Sequence, residues 1–296
     1  MTMLAENKLP GLLSWMGAKI EMAPKIIEQL GTHNYYLEAL AGSMAVLMAK
    51  SPSSSEIVCD LHGGLTNLAW VIADEPCAVE LYSRLVRTLN SSGIHSVSQN
   101  WCKEFEESRE DKKGKRLDWA YHYFVASMQS RNGVCGSRTG NTTHQVRYTN
   151  KGGNSASRFA ARVETIPEWH QRLRNVQILR KSCFDVLPKV DDAEGIAIYA
   201  DPPYLDGTAS AKYFHGFAPA DHRRLADQLR RFKKSRVVVS YYDSPELDHL
   251  YSGWTKIDCA TLKRLSTQNR KGSKRVEAME VLLVNGEAFG VCHELF

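Results

Sequence analysis

Seven short runs of β-branched, aromatic and other apolar residues punctuate this chain: Tyr35–Leu40, Glu56–Asp60, Val176–Leu179, Ile196–Ala200, Arg236–Tyr241, Trp254–Cys259 and Met279–Val284. Each has the length of a buried strand. Between several of them the apolar residues recur at helical spacing. Ala23–Leu30 has Pro24 near its start, Met44–Ala49 and Leu65–Ala73 follow the first two strands, and Pro219–Phe232 carries an Asp221 placed to cap. Alternating strand and helix predicts an α/β fold around a doubly wound, mostly parallel seven-stranded sheet. The alternation stops between about Glu75 and Lys181. That stretch offers a helical hairpin (Ala78–Leu89 and Leu117–Gln129), a charged turn (Glu104–Arg116) and a glycine-rich basic loop (Ser130–Gly153). Its helices have apolar faces of their own, so residues 76–175 read as an inserted, mainly helical lobe rather than a linker. Residues 1–75 and 176–296 would then build the main domain.

Composition narrows the class. With 43% apolar and 24% charged residues in 296, the chain is an ordinary folded globule of one or two domains. No apolar run reaches the roughly 18 residues of a membrane span, and residues 1–10 lack a signal-peptide layout, so a cytoplasmic protein is expected. The seven cysteines are scattered without a C-x-x-C pair, and the ten histidines show no ligand spacing. This argues for a reducing compartment and against a metal. Charge is uneven. Between Tyr121 and Lys181 ten basic residues face only Glu164 and Glu168, a net +8 where the whole chain carries +5. A second cluster, Lys263, Arg264, Arg270, Lys271, Lys274 and Arg275, contains no acid. Such clusters, interleaved with Gly, Ser, Thr and Asn, suit loops that follow a phosphate backbone.

Candidate chemistry gathers at strand ends. Asp201-Pro202-Pro203-Tyr204 closes the fourth run, and in an open α/β sheet ligands collect outside the carboxyl ends of strands. The prolines fix φ and offer no N–H, so the Asp201 and Pro202 carbonyls face a partner that supplies donors. An exocyclic amino group on a planar base is such a partner, with a π-face on which Tyr204 could stack. Alone, the tetrapeptide equally fits a proline turn that closes a strand. Upstream, Glu38-Ala39-Leu40-Ala41-Gly42-Ser43 leads from a strand through small residues into a helix, as a nucleotide site requires. The glycine fingerprints of dinucleotide and NTP sites are missing. About 20 residues on, Asp60 ends the second strand, where a carboxylate can grip both ribose hydroxyls. Trp15 and Lys19 bracket Gly17 nearer the start.

These pieces stand in the order found in the Dam-like, adenine-specific DNA methyltransferases of the DPPY type, and the resemblance covers most of the chain. Leu13–Lys19 resembles that family's W-x-G-G-K motif, Glu38–Val46 its E-P-F-x-G-x-G-x-V, and Asp60–Leu68 its D-I-N-x-x-L-x-N-L. Cys183-Phe184-Asp185 is similar to the short element after its third strand. Ile198–Leu205 resembles its catalytic signature, and Ser240–Pro245 its S-N-x-D-T-P segment. The resemblance implies a class I methyltransferase sheet and S-adenosylmethionine as methyl donor. Trp15, Lys19, Glu38, Ala41 and Gly42 would contact this cofactor, Asp60 its ribose, and Phe184 with Asp185 its adenine. Asp201 would stand between the cofactor and the target base. Departures are Ala39-Leu40 for Pro-Phe, Ala18 for a glycine, His62 for an asparagine, and Met44 at the second glycine, where a side chain could narrow the pocket or point into the core.

The implied reaction transfers a methyl group to the N(6) amine of an adenine flipped out of double-stranded DNA. Flipping costs a few kcal/mol, of which stacking on Tyr204 could return about 1–3 kcal/mol. In the inserted lobe Arg131, Asn132, Arg138 and Arg147 offer donors and acceptors to base edges. Arg270, Lys271 and Lys274 suit phosphates. The protein is expected to act as a monomer. The same chemistry on cytosine N(4) or on RNA adenine, and an inactive DNA-binding relative, are the alternatives.

Overall fold

A computed structural model describes residues 9–13, 17–107, 114–130, 143–145, 154–205, 216–264 and 277–290. All seven expected strands form: β1 (Tyr35–Ala39), β2 (Ser55–Cys59), β3 (Val176–Leu179), β4 (Ile196–Ala200), β5 (Arg236–Tyr242), β6 (Thr255–Arg264) and β7 (Glu277–Val284). They make one sheet in the order β3-β2-β1-β4-β5-β7-β6. The first five are parallel, and β7 runs antiparallel between β5 and β6. The central parallel strands β1, β4 and β5 are buried on both faces, which is why Tyr36-Leu37 and Val237-Val238-Val239 read as continuous apolar runs. Chain direction across the sheet reverses at the β1/β4 boundary, and the carboxyl ends there part to leave a crevice. β6 is longer than predicted because it follows β7 past an irregularity between Cys259 and Leu262.

Eleven helices cover the described residues: α1 (Ala23–Leu30), α2 (Ala45–Ala49), α3 (Gly63–Ala73), α4 (Glu75–Val86), α5 (Ser92–Glu107), α6 (Arg116–Met128), α7 (Ser155–Val163), α8 (Ile166–Leu173), α9 (Cys183–Val186), α10 (Pro219–Leu229) and α11 (Pro245–Leu250). The core divides by sheet face. On one side Tyr36, Val58 and Tyr199 meet α1, α3 and the helices that follow it. On the other, Leu37, Ile198 and Val239 meet α9, α10 and α11. Among the described residues, no helix is long and apolar enough to cross a membrane.

The segment 76–175 departs from expectation. Its hairpin forms as α4 and α6, but α5 lies between them and absorbs the start of the expected Glu104–Arg116 turn. Trp101 and Phe105 stack at 4.6 Å on α5, and Phe105 meets Trp119 of α6 at 5.1 Å. This apolar i, i+4 pair on one face explains a helix that the polar composition hides. Helices α7 and α8 also form, and their Phe159, Val163, Trp169 and Leu173 join the cluster that contains Leu65 and Leu68 of α3 and Val58 of β2. The described helices of this segment thus share the core that covers one face of the sheet.

Candidate active site

The site begins with the backbone after β1. Leu40, Gly42 and Met44 all have positive φ, at 66°, 46° and 57°, and the turn closes through Met44 N to Ala41 O at 2.8 Å. Only glycine adopts such angles freely, and a side chain there costs about 1–2 kcal/mol. Met44 carries that strain with its side chain fully buried in the core. The adjoining cavity, about 300 Å³, is walled here by Ala41, Gly42, Ser43, Ala45 and Val46, without Met44. The departure at the second glycine therefore leaves the cavity open.

Two carboxylates end the neighbouring strands along this wall. Asp60, after β2, accepts Gly42 N on Oδ2 (2.9 Å) and His62 N on Oδ1 (2.8 Å). These bonds fix the carboxylate and use only part of its acceptor capacity. Glu38, near the end of β1, accepts Tyr36 OH (2.9 Å) and Leu47 N (2.8 Å) on Oε2. Burial outweighs these bonds and pushes the carboxyl up to about 8. Further along, the rings of Phe184 and Phe217 lie nearly parallel with centroids 5.9 Å apart, and the Arg224 guanidinium sits 4.3 Å over Phe184. The side chain of Asp185 is exposed and lies outside the wall, which Ser182, Cys183 and Phe184 supply instead. Ser182 caps α9, so the turn that brings Phe184 inward carries Asp185 away. Leu61, within the Asp60–Leu68 motif, and Phe217, which belongs to no motif, also line the cavity.

At the end of β4, Asp201 is 23% exposed and faces the same cavity. Ser240 Oγ donates to its Oδ1 at 2.7 Å, and Tyr199 OH shares Ser240 Oγ at 2.9 Å. Lys19 Nζ bonds Oδ2 at 2.9 Å. Lys19 is itself buried, and also donates to Gly17 O at 2.9 Å and to Tyr204 OH at 2.6 Å. The lysine expected at the cofactor thus lies on the cavity wall and grips the tetrapeptide. Tyr204 is buried and does not line the cavity: its hydroxyl donates to Glu280 Oε1 at 3.0 Å, and its ring lies 3.9 Å from that of Tyr242. Pro203 lines the cavity while Pro202 is buried behind it. Trp15, Arg131, Asn132, Arg138, Arg147, Arg270, Lys271 and Lys274 lie outside the described residues. Among the described residues, no group of three or more His, Cys, Asp or Glu is placed to hold a metal ion.

A crevice at the β1/β4 switch point, with β7 antiparallel between β5 and β6, defines the class I methyltransferase fold. The chain belongs to the D12 class N6 adenine-specific DNA methyltransferase family, whose sequence profile matches residues 15–267. It is 27% identical over 248 residues to the Retron Ec67 DNA adenine methylase of Escherichia coli, covering 82% of this chain and 81% of that one. It is 23% identical over 290 residues to a DNA adenine methylase of Serratia marcescens, covering 93% and 99%. Among solved structures, the rRNA methyltransferase aviRa from Streptomyces viridochromogenes matches 96% of this chain and 90% of its own at 13% identity, with a TM-score of 0.35. The protein is an enzyme that methylates the N6 amino group of adenine in DNA.

Proposed function

We propose that S-adenosylmethionine is the methyl donor, held between Glu38, Asp60 and Phe184, and that an adenine flipped from double-stranded DNA enters against Asp201. The observation that carries this reading is that Asp60 and Asp201, at the ends of β2 and β4, open on one cavity. The wall suits the group: an acid for ribose hydroxyls, aromatic rings for a purine, and a buried carboxyl at Glu38 that a cationic ligand would ionise. When bound, the donor supplies an electrophilic methyl on a sulfonium.

Everything else falls to the chain. The adenine amine is a poor nucleophile because its lone pair is delocalised into the ring. Hydrogen bonds to the Asp201 carboxylate and the Pro202 carbonyl favour a pyramidal nitrogen and stabilise the positive charge that develops on it. Ser240 holds one Asp201 oxygen in place, so the carboxylate does not have to reorient during transfer. A stacking role for Tyr204 requires its ring to leave Tyr242, which breaks its hydroxyl bonds to Lys19 and Glu280. Arg131, Asn132, Arg138 and Arg147 are assigned to base edges, and Arg270, Lys271 and Lys274 to phosphates. The enzyme acts as a monomer in the cytoplasm.

The test is Asp201→Ala, assayed by methyl transfer from labelled S-adenosylmethionine to duplex DNA, nucleoside analysis of the digest, and calorimetry with the donor. Hydrogen bonds to a charged group contribute about 1.5–3 kcal/mol each, so transfer should fall by roughly two decades or more while the donor still binds. Full turnover by the variant, or a label found on cytosine, would refute the reading.

A further inference from the structure

We infer that Glu280 is a positioning residue, a second counter-ion for Lys19 that frees Asp201 to accept the amine of the target base. The inference rests on Asp201 as that acceptor. Glu280 lies in β7 opposite Tyr242 of β5 and Cys259 of β6, has no exposed surface, and falls beyond the residues that the family profile matches. A carboxylate in the middle of an interior strand is unfavourable unless a cation and hydrogen bonds compensate it. Its Oε1 accepts from the Tyr204 hydroxyl at 3.0 Å and stands 3.8 Å from Lys19 Nζ. Both partners belong to the catalytic tetrapeptide and its lysine.

The geometry gives this placement a purpose. Asp201 spends Oδ1 on Ser240 and Oδ2 on Lys19. To take an N–H from a base, Oδ2 must loosen its hold on the lysine. With Asp201 as sole counter-ion, that step would strand a buried ammonium. Glu280 prevents this, directly across 3.8 Å and through a relay in which Lys19 donates to Tyr204 and Tyr204 donates to Glu280. The lysine charge stays compensated throughout, and Asp201 can shift its bonding from protein to substrate. No proton needs to move along the relay.

The experiment compares full-length Glu280→Gln, Tyr204→Phe and the double variant with the wild type. The glutamine keeps the shape and an acceptor for Tyr204 but removes the charge. The measurements are kcat and KM on duplex DNA, the dissociation constant for S-adenosylmethionine, and the melting temperature. Expected is a fall in kcat of about tenfold or more with donor affinity held within about twofold, because Glu280 itself does not line the cavity. The double variant should lose no more than about twofold beyond the worse single variant, since both substitutions cut one link. Wild-type kcat in Glu280→Gln, a parallel loss of donor binding and melting temperature, or fully multiplicative losses in the double variant would each overturn the inference. Should Glu280→Gln not fold, Tyr204→Phe reads the same link: lowered kcat at constant donor affinity supports it, and unchanged kcat removes it. Asp201→Ala separates the two levels. If that variant is inactive while Glu280→Gln is fully active, only the role of Glu280 fails; if Asp201→Ala turns over normally, the active-site reading fails with it.

Discussion

Buried charge clusters stand at opposite ends of this sheet, and they are built on different principles. At the amino end, Glu56 of β2 receives Lys50 Nζ at 2.6 Å and Arg172 on both carboxylate oxygens, one of them at 2.9 Å. Lys50 also bonds Ser51 O and Ser53 Oγ, each at 2.8 Å, and Arg172 bonds Leu47 O. Two cations share one acid, and the group ties α2, β2 and α8 together. Burial alone would raise the Glu56 carboxyl; the bonds from Arg172 and Lys50 overcome it and hold the group below its ordinary value. At the carboxyl end the ratio among the described residues inverts: Lys19 pairs with two acids, Asp201 and Glu280, and Asp201 is open to the cavity. The first cluster is a clamp. In the second, Asp201 faces the cavity and is placed to accept from a ligand.

The comparison can be broken from either side. Arg172→Leu should cost about 3–5 kcal/mol of unfolding free energy, because it removes two charge-assisted hydrogen bonds from a buried carboxylate and leaves it, among the described residues, only Lys50 as counter-ion. The kcat of the protein that remains folded should be unchanged; denaturant titration beside an activity assay reads both. Asp201→Asn should show the reverse: transfer lowered by roughly two decades, equivalent to about 2.7 kcal/mol, with the denaturation midpoint held or raised. A clamp variant that selectively lowered kcat, or an Asp201 variant that chiefly unfolded, would erase the distinction.

Met44→Gly tests the wall between core and cavity. Relief of the positive φ returns about 1 kcal/mol, but loss of a buried methionine costs about 2–5 kcal/mol, so a net loss of roughly 2 kcal/mol is expected. Donor affinity should stay constant in calorimetry, since Met44 does not line the cavity.

Two further effects are in pH, and they have opposite signs. The folded protein holds Glu56 below 4.5, so its contribution is complete above that pH and is lost as pH falls through the lowered value. Glu38 has the opposite sign. Its carboxyl rises from 4.5 to about 8, so the folded chain keeps a proton that the unfolded chain releases. Stability of the donor-free protein should therefore fall as pH climbs from about 4.5 to about 8. Urea midpoints of Glu38→Gln should flatten that slope and leave the acid limb in place.

How much of this was legible in the sequence follows from the range of each interaction. Strands such as Val237-Val238-Val239 announce themselves because both faces are buried, and Asp60 and Asp201 because they end such runs. Helix α5 was hidden because its Ser, Gly and Asn outnumber the Trp101–Phe105 pair that fixes it. The grip of Lys19 on Asp201 spans 182 positions and depends on strand order, which no local pattern encodes. Glu280 is harder still: a lone acid in an apolar strand carries no motif, and only the antiparallel placement of β7 brings it to Tyr204.

That placement also fixes when the molecule becomes competent during its own synthesis. A chain emerging from the ribosome amino end first carries Lys19, Asp60 and Asp201 long before residue 284 appears. Until β7 slides between β5 and β6 the lysine lacks its second acid and the sheet is two ribbons short of closure. The nascent polypeptide therefore cannot complete the pairing of Lys19 with Glu280 until its last strand is in place.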